Sequence, residues 1–364
     1  MTILQLPALD PAPLPAPAWL FHLLLVLTFF IHVLFMNVTL GGTVIAALHG
    51  LLAKSGDAPG RRLGRLLVGF LPTSISFTIT TGVAPLLFIQ VLYAQFFYPA
   101  TILVGWIWLG LLVLLLAGYF CVYLYKYSAG AGGIAAWQAV SGLCFLAIAS
   151  IQTLVNVLQL TPSRWIAVAT GGQPICADPT MFPRLLHFIL GSVAVAGLFL
   201  AVLAVEKEHR RPDSLNRWLA QQGVRWALIA TALQVVDGFW FLFVLPRSVQ
   251  AAVMGGQASE TTLFVSGISL GLLTLILLSR IVNPIRERWL MRIATVGLVL
   301  TLFSMVMLRD AVRGLYLAPL IRLRELPTRT QVDVLILFLV VFVLGLATVG
   351  WMVRTVARQR RTGA

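Results

Sequence analysis

The stretch LFHLLLVLTFFIHVLFMNVTLGGTVIAALHGLL, from Leu20 to Leu52, contains no Asp, Glu, Lys or Arg. About 20 consecutive apolar residues are enough for a helix to cross a hydrocarbon core of about 30 Å. Because lipid offers no hydrogen-bond partner to the backbone, such a stretch satisfies its own peptide groups by forming a helix. It therefore predicts a transmembrane helix, and its excess length predicts that the helix projects beyond the bilayer.

Comparable apolar runs recur along the whole chain, which has 364 residues, 59% of them hydrophobic and 10% charged. Soluble globular proteins carry roughly 25% charged residues. The alternating segments of about 10 residues that are typical of membrane β-barrels are not seen. The predicted fold is therefore all-α, a polytopic membrane bundle in which residues 1–364 form a single membrane domain. Pro, Gly and charge clusters delimit about nine transmembrane helices, at about 17–52, 66–95, 99–127, 133–160, 183–206, 216–246, 260–281, 288–317 and 331–354.

The distribution of basic residues predicts the orientation of the bundle. The net charge is +14, and most of the Lys and Arg residues lie in alternate connections. By the positive-inside rule these connections are cytoplasmic, which places the N-terminus outside and the C-terminus inside. We therefore predict a multi-pass protein of the bacterial inner (cytoplasmic) membrane, with the lipid bilayer and not nucleic acid as the partner of its basic residues.

Two carboxylates, Asp237 and Asp310, fall within apolar helical runs. A carboxylate at mid-membrane costs roughly 2.5–3.5 kcal/mol on insertion scales, and such residues usually face a bundle interior with a partner. The predicted topology places both in the periplasmic half of the membrane. Asp310 and Arg313 have the spacing of an i,i+3 ion pair, and Asp237 has the alternative role of capping a kink near Gly238.

Three histidines fall on the same side of the membrane: His22, His32 and His187. His22 and His32 are separated by about 15 Å along a helix, which is too far for both to bind one ion. A single intramembrane histidine is ordinarily a packed, hydrogen-bonded residue. Here, however, basic residues from Arg309 to Arg329 break the positive-inside rule on that same side, which suggests an anionic group to be neutralised.

Haem explains this combination, because its iron takes a neutral imidazole nitrogen and its propionates need cationic partners. We therefore predict one or two b-type haems in the periplasmic leaflet, with His32 and His187 as axial ligands of the iron. The cysteines lack CxxCH spacing, which argues against covalent c-type haem and against a zinc site. A quinone is possible, but it needs too few residues to be predicted. The other predicted cofactor-binding residues are His22, Asp310, Arg313 and Arg309.

Four segments resemble subunit I of cytochrome bd-type quinol oxidases, in the order in which that family has them. LTFFIHVLFMNVTLGG (Leu27–Gly42) is similar to the family's first helix, whose axial histidine falls on His32. FPRLLHFILGSVAVAG (Phe182–Gly197) resembles the segment whose low-spin haem ligand falls on His187. SFTITTGVA and LRDAVRGLY are similar to segments of helices 2 and 8, and the latter puts the family's acid and arginine on Asp310 and Arg313. The resemblance implies a nine-helix scaffold and haem.

Three departures mark the chain as a divergent member of that superfamily. Thr101–Tyr125 contains none of the acids that the family carries in helix 3, and the long loop of the quinol site is replaced by Arg247–Ser259. The predicted seventh helix lacks the methionine expected opposite the low-spin haem, for which Met254 and Met307 are possible substitutes. The resemblance therefore does not carry over the reduction of dioxygen.

These observations leave three hypotheses of different classes. The first is an electron-transfer subunit of a membrane oxidoreductase complex, linking the quinone pool to a periplasmic c-type cytochrome or other redox partner and paired with a second membrane subunit. The second is a haem-free scaffold that anchors a respiratory complex. The third, a transporter or channel, is disfavoured because no inverted repeat is visible.

Overall fold

The computed structural model of the chain describes residues 7, 13–52, 58–128 and 135–362. Apart from an isolated bridge between Leu14 and Thr328, its regular structure in these residues is helical. The α-helices are α1 (Ala18–Leu52), α2 (Ala58–Leu92), α3 (Ala94–Leu103), α4 (Gly105–Ser128), α5 (Ala135–Leu160), α6 (Trp165–Ala169), α7 (Met181–Arg210), α8 (Ser214–Val244), α9 (Arg247–Ala251), α10 (Ala258–Arg280), α11 (Arg288–Leu317) and α12 (Val332–Thr362).

Eight of these helices are long and apolar enough to cross a membrane, within the residues that the structure describes. They are α1, α2, α4, α5, α7, α8, α10 and α11. The predicted ninth span corresponds to α12, whose apolar part there is Val332–Gly345. The predicted all-α polytopic bundle is confirmed, and the chain is a multi-pass membrane protein. Its N-out, C-in orientation stays a prediction from the distribution of charge.

The helix boundaries differ most from the predicted ones in three places, one of which is the predicted helix 331–354, which continues to Thr362. The predicted helix 99–127 is divided into α3 and α4, because the backbone leaves the helical conformation at Val104 (φ −115°, ψ 27°). The predicted helix 66–95 begins earlier, at Ala58. The predicted helix was begun only after a cluster of charged residues. A helix nevertheless extends into water without loss of stability when its basic side chains stay solvated.

The centre of the bundle is built on close contacts between backbones at small residues. A Cβ added at Gly41 of α1 would lie 2.0 Å from the Ser192 carbonyl oxygen of α7. A Cβ added at Gly223 of α8 would lie 2.5 Å from the Ala201 nitrogen of α7. Small residues are typical of helix interfaces in membranes, because association there depends on close van der Waals packing. Helix α7 is thereby fixed between α1 and α8.

The contacts between helices define two ends of the bundle. At one, which we call the basic end, the start of α2 meets the connection between α7 and α8, and Arg62 Nη2 lies 2.7 Å from Asp213 Oδ2. At the other, which we call the histidine end, the start of α1 meets the end of α11, and His22 Nε2 contacts Asp310 Oδ2. The predicted topology makes the basic end cytoplasmic and the histidine end periplasmic.

Candidate functional site

His32 lies between α1 and α2 with one ring nitrogen fixed. Its Nδ1 lies 3.0 Å from the carbonyl oxygen of Thr78. Since a carbonyl only accepts, Nδ1 carries the proton and Nε2 keeps its lone pair. Nε2 has no hydrogen-bond partner among the described residues. A Cβ added at Gly82 would lie 2.8 Å from His32 Cε1, so the ring needs a glycine at that position of α2.

His187 lies between α7 and α8 and is fixed in the same manner by a carboxylate. Its Nδ1 lies 3.0 Å from Asp237 Oδ2, and Asp237 is only 4% exposed. A histidine that binds a metal commonly donates its other ring N–H to a carboxylate or a backbone carbonyl. The Nε2 atom of His187, like that of His32, has no hydrogen-bond partner in the described part of the chain.

The alternative role for Asp237, as a cap of a kink near Gly238, is wrong. Helix α8 runs from Ser214 to Val244 without interruption, and the carboxylate binds His187 instead. The other oxygen of Asp237, Oδ1, is buried and has no hydrogen-bond partner among the residues that the structure describes. Gln234, one turn earlier on α8, donates from Nε2 to the carbonyl oxygen of His187 at 3.3 Å, so α8 contacts both the ring and the backbone of this residue.

The two histidines occupy the same level of the bundle but face different neighbours. Ser192 Oγ donates to Asn37 Oδ1 at 2.8 Å and joins α7 to α1. His187 and His32 each precede that contact by five positions, so both lie about 7.5 Å from it toward the histidine end. Because His32 contacts α2 and His187 contacts α8, the two imidazoles belong to separate sites.

The ring of Phe29 lies close to both Arg309 and His32. The guanidinium carbon of Arg309 is 4.4 Å from the centroid of the Phe29 ring, and that ring is 6.4 Å from the His32 ring. Arg309 makes no hydrogen bond or ion pair with any residue that the structure describes. The face of the Phe29 ring stabilises its charge, and the Asp310 carboxylate interacts with it favourably from a greater distance.

Arg184 lies next to His187 in a similar arrangement. Its guanidinium carbon is 4.9 Å from the centroid of the Phe241 ring, and that ring is 6.2 Å from the His187 ring. Nη1 donates to Asn156 Oδ1 at 3.3 Å, and the Tyr316 hydroxyl and the Asp178 carboxylate lie near the guanidinium. Nε and Nη2 are buried without a hydrogen bond of good geometry to any residue that the structure describes. Arg184 was not predicted as a site residue, although a basic residue one turn before a candidate ligand was a usable signal.

Asp310 forms the centre of a third group, together with Arg313 and His22. Arg313 Nη1 donates to Asp310 Oδ1 at 2.9 Å, so the ion pair suggested by the i,i+3 spacing is confirmed. Arg313 is 5% exposed, and its guanidinium carbon also lies 5.3 Å from the Tyr93 ring centroid. His22 Nε2 contacts the other carboxylate oxygen. A ligand role for His22 therefore stays a prediction, with Nε2 directed at Asp310.

The histidine end has an excess of positive charge in apolar surroundings. Arg184, Arg309 and Arg313 lie close enough to repel one another, and the carboxylate of Asp310 is already paired with Arg313. Buried charges without partners cost several kcal/mol each, and a guanidinium binds an anion through several N–H donors. The arrangement is therefore suited to hold an anionic group beside the two imidazoles.

The described residues contain no group of three or more His, Cys, Asp or Glu side chains that could hold a metal ion. A haem needs fewer protein ligands, because its macrocycle supplies four nitrogens and the protein supplies only the axial positions. Of the two methionines considered as axial partners, Met254 is 59% exposed and lies in the turn Ala252–Gly256. Met307 is half-buried on α11.

Comparison with known proteins gives a likeness in fold but not in sequence. No family model matches the chain, and no curated protein sequence matches it. Among solved structures, it is similar to a chain of the bd oxidase from Geobacillus thermodenitrificans, with a TM-score of 0.75 and 14% identity. The match covers 95% of this chain and 100% of that chain. The chain therefore has the fold of a bd oxidase subunit, and the predicted resemblance is confirmed at that level.

Proposed function

We propose that this protein is an electron-transfer subunit of a membrane respiratory complex, which binds b-type haem through His32 and His187. One observation carries the proposal. Each imidazole has its Nδ1 proton held by an acceptor on a neighbouring helix, and each Nε2 has no partner in the described part of the chain. That is the state in which histidine binds haem iron.

The residues around the imidazoles fit a haem in charge as well as in ligand type. Among the described residues, Nε and Nη2 of Arg184 are buried donors without a hydrogen bond of good geometry, although the Tyr316 hydroxyl and the Asp178 carboxylate lie nearby. Arg309 has no ion-pair partner in that part of the chain. Haem carries two propionates, so both guanidiniums have carboxylates to bind. When bound, haem b supplies a one-electron couple between ferric and ferrous iron. We propose one haem for each histidine, since the two rings belong to separate sites.

Asp237 has a specific role in this proposal. A carboxylate that accepts the Nδ1 proton makes an imidazole a more basic ligand and fixes the direction of its Nε2 lone pair. Its negative charge also favours the more positive, oxidised iron. His187 has this partner, and His32 has the neutral Thr78 carbonyl. The two sites are therefore proposed to differ in reduction potential, with the His187 site the lower.

Electron transfer is proposed in preference to reduction of dioxygen because the chain lacks the acids that would deliver protons. Thr101–Tyr125 contains no Asp or Glu. The connection between α8 and α10 is short, running from Leu245 to Gln257 and containing α9 and the turn Ala252–Gly256, so the usual quinol loop is absent. We propose that electrons pass between the quinone pool and a periplasmic partner, such as a c-type cytochrome, at the histidine end. We also propose that the protein pairs with a second membrane subunit and lies in the bacterial inner membrane.

A haem-free scaffold is the second candidate, and the third group of residues favours it. Asp310 has both oxygens engaged, by Arg313 and by His22. That group is complete without a ligand, as expected of a residue that only holds helices together. If His32 and His187 were also purely structural, Asn or Gln at these positions would be tolerated.

The test is a dithionite-reduced minus oxidised spectrum, with a pyridine haemochrome assay, on the complex purified in mild detergent and separated from c-type partners. We expect a b-type signal that is reduced by His32→Ala and by His187→Ala and abolished by the double substitution. His209→Ala is the matched control, because His209 is exposed at the basic end, where it accepts from Arg288 Nη1 at 3.2 Å.

A native complex without haem b would refute the proposal and favour the scaffold. Retention of the full spectrum in the double variant would refute the ligand assignment. In the scaffold case, His32→Asn and His187→Gln would also leave assembly of the complex unchanged.

A further inference from the structure

A cavity of about 340 Å³ lies at the basic end of the bundle, between α2, α7 and α8. It is far larger than the roughly 30 Å³ that a water molecule occupies in the liquid. The cavity is lined by two leucines and four polar or charged residues, which are Arg62, Arg65, Leu66, Lys207, Asn216 and Leu219. Leu66 and Leu219 are 7% and 1% exposed, so the cavity combines an apolar wall with basic side chains.

The carboxylates near this cavity are already engaged. Asp213 binds Arg62 at 2.7 Å and accepts from the Leu215 nitrogen at 3.0 Å. Glu208 binds Arg217 at 2.9 Å and accepts from the Asp213 nitrogen at 2.6 Å. Within the described residues, Arg65 and Lys207 therefore line the cavity without an ion-pair partner.

The positive-inside rule explains why basic residues lie at this end, but it does not explain their arrangement. Basic residues that only orient a helix in the membrane are free to point into water from separate positions. Here cations from two different helices, Arg65 of α2 and Lys207 of α7, line one cavity. Asn216 on α8 adds an amide to it, whose Nδ2 donates to the Arg211 carbonyl oxygen at 3.1 Å and whose Oδ1 is an acceptor.

We propose that this cavity binds a phosphate-bearing anion, either the headgroup of an anionic phospholipid or a soluble phosphate. Arg65 and Lys207 supply the charge, Arg62 adds a donor that Asp213 holds in place, and the leucines border the site on its apolar side. Basic pockets between transmembrane helices near the membrane surface suit such headgroups. This site is independent of the haem proposal, because it lies at the opposite end of the bundle.

The test is native mass spectrometry of the detergent-purified protein, titrated with phosphatidylglycerol and, separately, with phosphatidylcholine. A parallel thermal-shift series uses inorganic phosphate without lipid. The variants are Arg65→Gln, Lys207→Gln and the double substitution, which remove exposed side chains. The control is Arg280→Gln/Arg286→Gln, which removes the same charge from exposed positions of the α10–α11 region that do not line the cavity.

For a lipid headgroup, we expect selective binding of phosphatidylglycerol that weakens about fivefold in each single variant and about 25-fold in the double variant, but not in the control. For a soluble phosphate, inorganic phosphate raises the melting temperature of the native protein and not that of the double variant. Equal behaviour of the double variant and the control in both series would overturn the proposal. So would equal binding of the two lipids together with no effect of phosphate.

Discussion

Oδ2 of Asp237 lies 3.0 Å from Nδ1 of His187, and the second oxygen of the same carboxylate is buried without a partner in the described part of the chain. Removing a carboxylate from water is costly unless its charge is balanced and its lone pairs are satisfied. A neutral imidazole satisfies one oxygen only. Burying this pair therefore costs more free energy than apolar packing at the same positions. Such a cost is expected where a residue supports a functional site, which agrees with the proposed role of Asp237 behind His187.

Replacing Asp237 with Asn tests this relationship directly. The amide oxygen is still able to accept the Nδ1 proton, but the negative charge is lost. We expect the affinity for haem at the His187 site to fall by about 10- to 100-fold, and the midpoint potential of any haem retained there to rise. Redox titration of the visible spectrum measures both quantities.

The matched control is Asp213→Asn, which alters a carboxylate at the basic end of the bundle. Asp213 binds Arg62 at 2.7 Å, and neither imidazole bonds to it. An unchanged potential in Asp237→Asn, or an equal change in both variants, would mean that Asp237 does not act through His187.

Gly82 is predicted to be indispensable for the position of His32. An alanine Cβ would lie 2.8 Å from Cε1 and 3.0 Å from Nδ1 of that ring. We expect Gly82→Ala to push the imidazole from Thr78, with a loss of stability of about 1–3 kcal/mol, as is typical of overpacking. The part of the haem spectrum that depends on His32 should be lost as well. Thermal unfolding and the difference spectrum measure the two effects.

Gly69→Ala on the same helix is the control. A Cβ at Gly69 meets nothing within 4 Å, and alanine favours a helix over glycine by roughly 0.5–1 kcal/mol. We expect this variant to be as stable as the native protein or slightly more stable. If Gly82→Ala behaved like Gly69→Ala, the tight packing of His32 on α2 would be disproved.

The apolar runs predicted the helices well, because the length of an apolar stretch alone decides whether it crosses lipid. The divided α3–α4 region was not predicted, although Gly105 directly follows the break at Val104, because a single glycine inside an apolar run is tolerated in a helix. His32 and His187 were identified by residue type and depth. The acceptors that fix their Nδ1 atoms were not, because these depend on how each helix is rotated against its neighbour.

The pairing of His187 with Asp237 illustrates that limit. Both residues were identified as candidates, yet they were assigned to different roles. What brings them together is the crossing of α7 and α8 at Gly197 and Gly223, where a Cβ added at Gly223 would lie 2.6 Å from the Gly197 carbonyl oxygen. A single sequence does not reveal which small residues face each other across two helices. The i,i+3 pair of Asp310 and Arg313 was predictable because both residues lie on one helix.

Removing one partner of that pair should be far more damaging than removing both. Asp310 and Arg313 have side chains that are only 11% and 6% exposed. Arg313→Met leaves the Asp310 carboxylate with His22 alone, and loss of one partner of a buried pair costs about 3–5 kcal/mol. Asp310→Asn/Arg313→Met removes both charges and should recover most of that stability. A double-mutant cycle of thermal unfolding measures the coupling, and simple additivity of the two effects would contradict it.

Asp213 should contribute to stability in a pH-dependent manner that separates its charge from its role as a helix cap. The Leu215 backbone N–H, followed by the Arg62 guanidinium, holds the pKa of Asp213 below its ordinary value. As the pH falls, Asp213 of the unfolded chain is therefore protonated before Asp213 of the folded chain, near an ordinary pKa of about 3.9. The stabilisation is present above that pH and is lost as the pH falls through the lower pKa of the folded state.

Asp213→Asn keeps an oxygen that is able to accept from Leu215 and removes the charge that binds Arg62. We expect the variant to melt below the native protein by a constant margin from about pH 8 to about pH 5. The margin should shrink as the pH falls below about 3.9 and disappear below the lower pKa of Asp213 in the folded state. Glu206→Gln is the control, because its pair with Arg210 is exposed and such pairs contribute little. A margin that persisted at low pH would show that Asp213 acts through the backbone cap and not through its charge.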